Sequence, residues 1–337
     1  MSNIPPAPSG LEDRFTPPPG WRWHFFTRNN RKLRFGSAFP QDSIPDAVVV
    51  CRPGLSEFGE KYFEVARYCL EHNLAFWVLD WMGQGRSDRY LKNPHKRHST
   101  GFQNDVEDLH YFILEYIKHS SVHPDKGRIP LAMLAHSMGA NIGLHYLSQH
   151  PGMFECAAMT APLCGIKALK PLPDPLRLSL TGLLGTLARK IYVPGGGNWR
   201  EDMHPAPPAP KSLSSDPARG SLHNLWSLSD PALQVGGSTF GWLNRAARSC
   251  AKLRKNETLD AIRTRCLLAM AGIENLVDNE ATKQTAQKIR PAEILQLPES
   301  RHEILMERDE IRSLFLDRFY KLIEETIIAR PETLKPF

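Results

Sequence analysis

The stretch IPLAMLAHSMGANIGLHY, residues 129–146, decides the fold of this chain. Its pattern predicts a buried strand over Pro130–Leu134, a tight turn that carries Ser137, and a helix that begins at Gly139. A serine on such a turn has its hydroxyl exposed above the sheet, and the neighbouring N–H groups point at one spot. The motif reads Ala-His-Ser-Met-Gly instead of G-x-S-x-G, so the methyl group of Ala135 adds a small steric cost. The stretch predicts a serine nucleophile, and a plain turn serine is the alternative.

Apolar runs alternate with helical patterns on both sides of this stretch. The alternation predicts a mostly parallel sheet with helices on both faces. An antiparallel hairpin around Asn29-Asn30 precedes it. The predicted strands are Trp21–Thr27, Lys32–Phe39, Asp46–Cys51, Leu74–Leu79, Pro130–Leu134, Cys156–Thr160, Arg265–Ala271 and Ala292–Leu297. The predicted helices are Tyr62–His72, Phe102–Lys118, one from Gly139, Pro175–Lys190, Gly241–Lys255, Ala281–Lys288 and Asp309–Arg330.

The alternation stops near Leu163 and resumes near Thr264. Two helical stretches around a loop rich in Pro, Gly and Ser lie between these points, and we expect this segment to cap the carboxyl edge of the sheet. The leucines of its first helix suit either an acyl channel or packing against the sheet; they are Leu176, Leu180, Leu183, Leu184 and Leu187. We therefore expect an α/β core with an inserted cap. The expected parts are a flexible N-terminal segment 1–20, core residues 21–163, a cap 164–260 and core residues 261–337.

Composition excludes several classes of protein. The 337 residues carry a formal charge of +6 without a dense Lys/Arg run among aromatic residues, so nucleic acid is not an expected partner. The N-terminus lacks the pattern of a secretory signal, and no apolar run is long enough to span a bilayer. We expect a cytoplasmic protein, with peripheral contact to an anionic inner membrane face left open and no obligatory protein partner. The six cysteines are scattered and are expected to be buried free thiols.

Two loops late in the chain supply partners for Ser137. A serine hydroxyl needs a base to take its proton and a carboxylate to orient that base, and parallel strands present their carboxyl ends at one rim. His302 follows the strand Ala292–Leu297 and is the expected base, with a surface histidine as the alternative. Glu274 and Asp278 both follow the preceding strand. We favour Glu274 as the acid because it lies nearer the strand end, while Asp278 could instead cap the next helix.

The oxyanion of acyl transfer needs two preorganised N–H donors. Met138, directly after Ser137, is expected to supply one, and Leu55, beside Gly54 in the loop after Asp46–Cys51, the other. A simple turn is the alternative for the Gly54 loop.

Other clusters are weak. The glycines at 83–87 lack the spacing and the Lys-Ser/Thr ending of a phosphate loop, so we interpret them as a tight strand-to-helix connection. Gly195–Gly197 is interpreted as a flexible loop. His95, His98 and His110 do not have zinc spacing. We therefore expect neither a metal nor a cofactor.

Three motifs together resemble the monoglyceride lipase and bacterial lysophospholipase branch of the α/β-hydrolase superfamily. Residues 80–87, DWMGQGRS, resemble its D-x-R-G-x-G-x-S loop; residues 135–140, AHSMGA, its G-H-S-M-G-G elbow; and residues 301–305, RHEIL, its R-H-E-L-L segment. Residues 214–217 and 235–242 are similar to the bacterial lysophospholipases. The resemblance extends from about Trp21 to Ile328.

The resemblance implies an α/β-hydrolase fold and a serine hydrolase that cleaves a long-chain acyl ester of a lysophospholipid or a monoacylglycerol. The acid of that branch, usually Asp, is matched by Glu274. The chain departs from the branch in having Pro53 before Gly54, and Ala135 and Ala140 at the elbow. A serine aminopeptidase, another small-ester hydrolase of the same fold and a non-catalytic hydrolase-like binding protein remain the alternatives.

Overall fold

An eight-stranded mixed sheet forms the centre of the molecule. The computed structural model describes residues 7–123 and 127–330. Strand β2 is antiparallel to both β1 and β4, and all other neighbouring strands are parallel, so the predicted mostly parallel sheet is confirmed. The strands are β1 (Arg22–Arg28), β2 (Arg31–Ala38), β3 (Ala47–Arg52), β4 (Leu74–Leu79), β5 (Val122–His123), β6 (Gly127–Arg128), β7 (Leu131–His136), β8 (Cys156–Thr160), β9 (Arg265–Ile273) and β10 (Ala292–Arg301). The sheet order is β1-β2-β4-β3-β7-β8-β9-β10, and β5 and β6 pair separately.

Helices cover both faces of this sheet. On one face α1 meets α10, where the rings of His72 and Tyr320 lie 4.6 Å apart, and on the other α2 packs against α4. The helices are α1 (Phe63–Glu71), α2 (Phe102–Phe112), α3 (Lys118–Ser120), α4 (Met138–Gln149), α5 (Asp174–Leu187), α6 (Pro217–Ser229), α7 (Phe240–Leu253), α8 (Asn256–Asp260), α9 (Asn279–Lys288) and α10 (Asp309–Ile323). π-helical turns extend α2 over Ile113–Ile117 and α10 over Glu324–Ile328.

The strand order reverses between β3 and β7. Chain connections leave these neighbouring strands in opposite directions, which opens a crevice at their carboxyl ends. Both strands are buried along their whole length. Gly139 allows the start of α4 to approach this point, because a Cβ there would lie 2.3 Å from the carbonyl oxygen of Arg52. The crevice is therefore built from the loop after β3 and the turn after β7.

Residues 164–260, which we call the inserted segment, connect β8 to β9. The structure adds a helix, α6, that we did not predict, although Asp216 and Pro217 form a good helix start: the Asp216 side chain accepts the N–H of Arg219. Four of the five leucines that we assigned either to an acyl channel or to packing on the sheet are exposed, namely Leu176, Leu180, Leu183 and Leu187. The prediction that these leucines pack against the sheet is therefore wrong.

Contacts with the core also lie before Trp21, where we expected the core to start. Phe15 is buried and Arg67, on α1, donates to the carbonyl oxygen of Thr16, so this part of the N-terminal segment lies against α1. Residues 1–6 of the predicted flexible segment lie outside the described residues. In residues 7–123 and 127–330, no helix combines the length and hydrophobicity needed to cross a bilayer. All six cysteines are free and buried, as predicted.

Candidate active site

Ser137, His302 and Glu274 lie in one hydrogen-bonded line at the carboxyl edge of the sheet. The Ser137 Oγ is 3.1 Å from Nε2 of His302, and Nδ1 of His302 is 2.7 Å from Oε2 of Glu274. All three side chains are buried, and Ser137 keeps 8% of its surface exposed. This is the relation of nucleophile, base and orienting carboxylate that acyl transfer requires.

The turn after β7 presents the serine. Ser137 has a φ of 49°, which costs backbone energy for a non-glycine residue and is typical of strained turns at functional sites. Its N–H donates to the carbonyl oxygen of Thr160, at 2.9 Å, and its own carbonyl accepts the N–H groups of Ala140 and Asn141. The strained turn is therefore fixed from both sides, and its side chain is directed towards His302.

Glu274 is held by the backbone that follows it. Its Oε1 accepts the N–H groups of Leu276, at 2.7 Å, and Val277, at 3.2 Å, which leaves Oε2 for His302. Burial alone would raise the pKa of Glu274, but the charge and hydrogen bond of His302, together with the two N–H groups, lower it. The carboxylate is therefore ionised at neutral pH and suited to orient an imidazole.

Asp278, the alternative acid, lies at the start of α9. Its side chain accepts the N–H of Glu280 and the ammonium group of Lys170, at 3.1 and 3.2 Å. It therefore caps the helix, and the structure places Glu274 against His302. The strand before His302 is longer than predicted, since β10 continues past a register irregularity between Leu297 and Arg301.

The loop after β3 lies directly against the serine. A Cβ on Gly54 would lie 2.7 Å from the His136 ring and 3.3 Å from Cβ of Ser137, so only glycine fits there. Gln84 fixes this loop: its side-chain nitrogen donates to the carbonyl oxygens of Gly54 and Glu57, both at 2.7 Å. Among the described residues, the N–H groups of Leu55 and Met138 have no hydrogen-bond partner. Both N–H groups are therefore free to bind an oxyanion.

Gln84 belongs to the loop of residues 80–87, whose structural role the sequence only partly indicated. Asp80 accepts the N–H groups of Gly59 and Arg86 and the Nε of Arg34, and Arg34 makes a bidentate pair with Glu60. The loop is tightly turned as predicted, but it does not connect directly to a helix, since α2 begins only at Phe102. Through Gln84 it supports the loop after β3 that contains Gly54 and Leu55.

A buried lysine, Lys61, connects the loop after β3 to the loop that contains His302, and sequence reasoning missed it. The Nζ of Lys61 donates to Glu57 and to Glu303, both at 2.8 Å, and Glu303 directly follows His302. Glu57 in turn accepts the N–H of Gly54. Burial would raise the pKa of Glu57, yet Lys61 brings it down to about 2, so the pair is ionic. The only local signal was the i, i+4 spacing of Glu57 and Lys61.

Three buried histidines remain neutral at pH 7. Burial lowers the pKa of His136 and of His145 to about 4, and it lowers the pKa of His223 strongly. Both ring nitrogens of His223 lack a partner in the described part of the chain, and its ring packs against Phe58 and His204. Adding a proton to any of them would place an unpaired charge in the interior.

The protein is therefore expected to lose stability in mild acid. The unfolded chain takes up protons below pH about 6.5 while the folded chain resists them, so the free energy of unfolding falls as pH decreases from about 6.5 towards 4. Each histidine contributes up to about 1.4 kcal/mol per pH unit in this range. Urea midpoints between pH 7.5 and 4.5 measure the loss, which should be shallower in His223→Phe. Equal stability at pH 7 and pH 5 would contradict this prediction.

No group of three or more His, Cys, Asp or Glu among the described side chains is arranged to hold a metal ion. His95, His98 and His110 do not converge on one point: His98 contacts Thr239, and His110 stacks on His150.

Comparisons with known proteins agree with this geometry. Residues 43–309 match the family described as serine aminopeptidase, S33. Lysophospholipase L2 of Escherichia coli K12 is 31% identical over 278 residues, which cover 80% of this chain and 78% of that protein. Human monoglyceride lipase is 28% identical over 120 residues, which cover 35% of this chain and 36% of that protein.

Solved structures share the fold. A soluble variant of monoglyceride lipase from Saccharomyces cerevisiae superposes with a TM-score of 0.69 over 91% of this chain and 96% of that one, at 15% identity. A carboxyl esterase from Bacillus coagulans gives a TM-score of 0.67 over 91% and 99% of the two chains, at 16% identity. The expected hydrolase fold is confirmed.

Proposed function

We propose that this chain cleaves the ester of a single-chain acyl lipid through a Ser137-His302-Glu274 triad. The chain belongs to the serine aminopeptidase S33 family of α/β hydrolases and is a hydrolase of the esterase and lipase type. The substrate class is a lysophospholipid or a monoacylglycerol. The observation that carries the proposal is the hydrogen-bonded line from Ser137 Oγ through His302 to Glu274. The relatives named for these two substrates support the acyl lipid.

In the first half of the reaction Ser137 Oγ attacks the ester carbonyl carbon and His302 Nε2 takes its proton. The N–H groups of Met138 and Leu55 stabilise the oxyanion, and removing one such donor typically costs about 10²–10³ in kcat. His302 then gives the proton to the leaving alcohol oxygen, which leaves the acyl group on Ser137. Glu274 keeps Nδ1 protonated and stabilises the charged imidazole throughout.

In the second half His302 removes a proton from water, which attacks the acyl carbonyl. The fatty acid leaves and Ser137 recovers its proton from His302. Lys61 connects the loop that contains Leu55 to the loop that contains His302 through its bonds to Glu57 and Glu303. We infer that residues 164–260 act as a cap over this site, because Leu213 in this segment accepts the N–H of Glu303, directly beside His302.

An aminopeptidase is the second candidate, since the matched family carries that description. Such an enzyme needs an unpaired acid to bind a free amine. The carboxylates beside the site do not offer one: Glu57 and Glu303 share Lys61, and Glu274 holds His302. This pairing favours the neutral acyl ester over a cationic peptide N-terminus.

A substrate panel tests the proposal. We expect the purified protein to release fatty acid from lysophosphatidylcholine or monooleoylglycerol, with kcat/KM at least about 10²-fold higher than for an alanine or proline anilide. The readout is free fatty acid by mass spectrometry and released aniline by absorbance. Preferential cleavage of an anilide would replace the lipid assignment with the peptidase. Folded protein that is inactive on every substrate would favour the binding-protein alternative.

A further inference from the structure

A buried arginine, Arg97, contacts the side chain of Met138, whose N–H group we assign to the oxyanion. The Arg97 side chain is only 1% exposed. One of its Nη atoms lies 3.5 Å from Sδ of Met138, and the other donates to the carbonyl oxygens of His98, at 2.7 Å, and Met82, at 3.3 Å. All three acceptors are neutral groups. The guanidinium is therefore held against the elbow by contacts that leave its charge in place.

Arg97 has no counter-ion in direct contact. Among the described residues, none of its hydrogen bonds is to a carboxylate, and its Nε has no partner. Burial lowers the pKa of Arg97, but a guanidinium remains protonated at neutral pH. The carboxylate whose charge acts on it is that of Asp105, which is also buried. Burial raises the pKa of Asp105 to about 7, so its negative charge is incomplete at neutral pH.

The backbone and a glycine fix the position of this cation. The N–H of Arg97 donates to the carbonyl oxygen of Gly237, at 3.1 Å, and its own carbonyl accepts the N–H of Thr239, at 2.9 Å, just before α7 begins. Gly83, with a φ of 91°, makes room for the guanidinium, because a Cβ there would lie 2.6 Å from its Nη1. The charge is therefore preorganised, which is the condition for stabilising a transition state without a cost of rearrangement.

We propose that Arg97 is a positioning residue of the hydrolysis: it supports Met138, and its buried charge stabilises the oxyanion that forms at the Met138 N–H group. The inference rests on the proposed function, since acyl transfer is what creates an oxyanion there. A charge in a buried site acts over a longer distance than one in water. The alternative is that Arg97 only ties the inserted segment to the core. That role needs its backbone bonds to Gly237 and Thr239, which survive replacement of the side chain.

The test separates charge from structure. Arg97→Gln removes the charge and Arg97→Lys retains it, while both lose the guanidinium fork. The matched control is Arg177→Gln on α5, because Arg177 also donates to a carbonyl oxygen, that of Leu172, at 2.8 Å. We would measure kcat and KM for p-nitrophenyl butyrate and the inhibition constant of a long-chain trifluoromethyl ketone. Addition of the serine oxygen to that ketone turns its carbonyl oxygen into an oxyanion. Melting curves verify that each variant is folded.

We expect Arg97→Gln to lower kcat roughly tenfold to thirtyfold with KM within about twofold, and to weaken the ketone by the same factor. Arg97→Lys should stay within about threefold of the wild type, and the control within about twofold. An active wild type with an unchanged Arg97→Gln variant, or an equal loss in Arg97→Lys, overturns the inference alone. A folded wild type that hydrolyses neither this ester nor a lipid overturns the proposed function as well.

Asp105→Asn tests the same charge without altering Arg97. Asp105 faces Arg97, Arg31, Asp108 and Tyr90, and burial raises the pKa of Tyr90, which therefore stays neutral. Ionised Asp105 opposes the field of Arg97, whereas asparagine does not ionise. The ratio of kcat in Asp105→Asn to kcat in the wild type should therefore rise from about one at pH 6 to about three or more at pH 9. A ratio that stays constant over this range would contradict a role for the Arg97 charge.

Discussion

Ser137→Ala is expected to lower kcat for lipid ester hydrolysis by about 10⁵–10⁶-fold, with little change in KM. The reason is that only Ser137 has its Oγ within hydrogen-bond distance of His302, so no other hydroxyl in the described residues can take its place. Removing the hydroxyl group leaves the fold intact, because the turn is held by backbone hydrogen bonds to Thr160 and Asn141. Initial rates of fatty acid release from a monoacylglycerol measure the loss.

His302→Ala should cost about as much, and the double variant should cost no more than either single one, because the two residues act as one unit. Ser148→Ala is the matched control. It lies on α4, and its hydroxyl only donates to the carbonyl oxygen of His145. Additive losses in the double variant, or an active Ser137→Ala protein, would show that the serine and the histidine do not cooperate.

Glu274→Gln is expected to lower kcat by about 10³–10⁴-fold. The oxygen of the new amide would keep the N–H groups of Leu276 and Val277, since these bonds fix its position. Its nitrogen would then face Nδ1 of His302 and force that atom to accept, which puts the proton on Nε2. The histidine would then hold the wrong tautomer to take a proton from serine. Single-turnover acylation rates measure the effect.

Asp278→Asn is the matched control for this second prediction. Asn caps a helix as well as Asp, so the hydrogen bond to Glu280 survives and only the exposed pairing with Lys170 is lost. We expect kcat within about twofold of the wild type. If Asp278→Asn were the inactive variant and Glu274→Gln the active one, the acid would be assigned to the wrong residue.

The elbow and the sheet were predictable because their signals are local. The buried strands β3 and β7 are continuous apolar runs, and the small residues around Ser137 lie next to it in sequence. Gly139 is required by a close approach to Arg52, but its place in the motif already indicated that approach. Strand periodicity and turn chemistry were therefore sufficient to place Ser137 on its turn and to identify the loops that face it.

The acid could not be decided from sequence, because Glu274 and Asp278 both follow β9. What distinguishes them is the course of the backbone, which turns the N–H groups of Leu276 and Val277 onto Glu274. The link from Lys61 to Glu303 is still less visible, since the two residues are 242 positions apart in the chain. Contacts of this kind depend on the assembled fold, so a single sequence does not predict them.

The inserted segment was the least predictable part. We interpreted its proline-rich stretch as a loop and so did not predict that α6 starts there, at Asp216 and Pro217. Its leucines have the period of a buried helix face, yet Leu183 and Leu187 are exposed, because α5 packs on α7 through Gly182 and Gly185. Periodicity indicates that a face is apolar, and only the structure shows whether protein covers it.

The central claim is that Ser137 is an activated nucleophile, and the most direct test is intact-mass labelling with a long-chain alkyl fluorophosphonate followed by peptide mapping. The account predicts one adduct per chain on the wild type, located at Ser137, and none on Ser137→Ala or His302→Ala. Folded wild-type protein that stays unlabelled, or an adduct on any other residue, would contradict it.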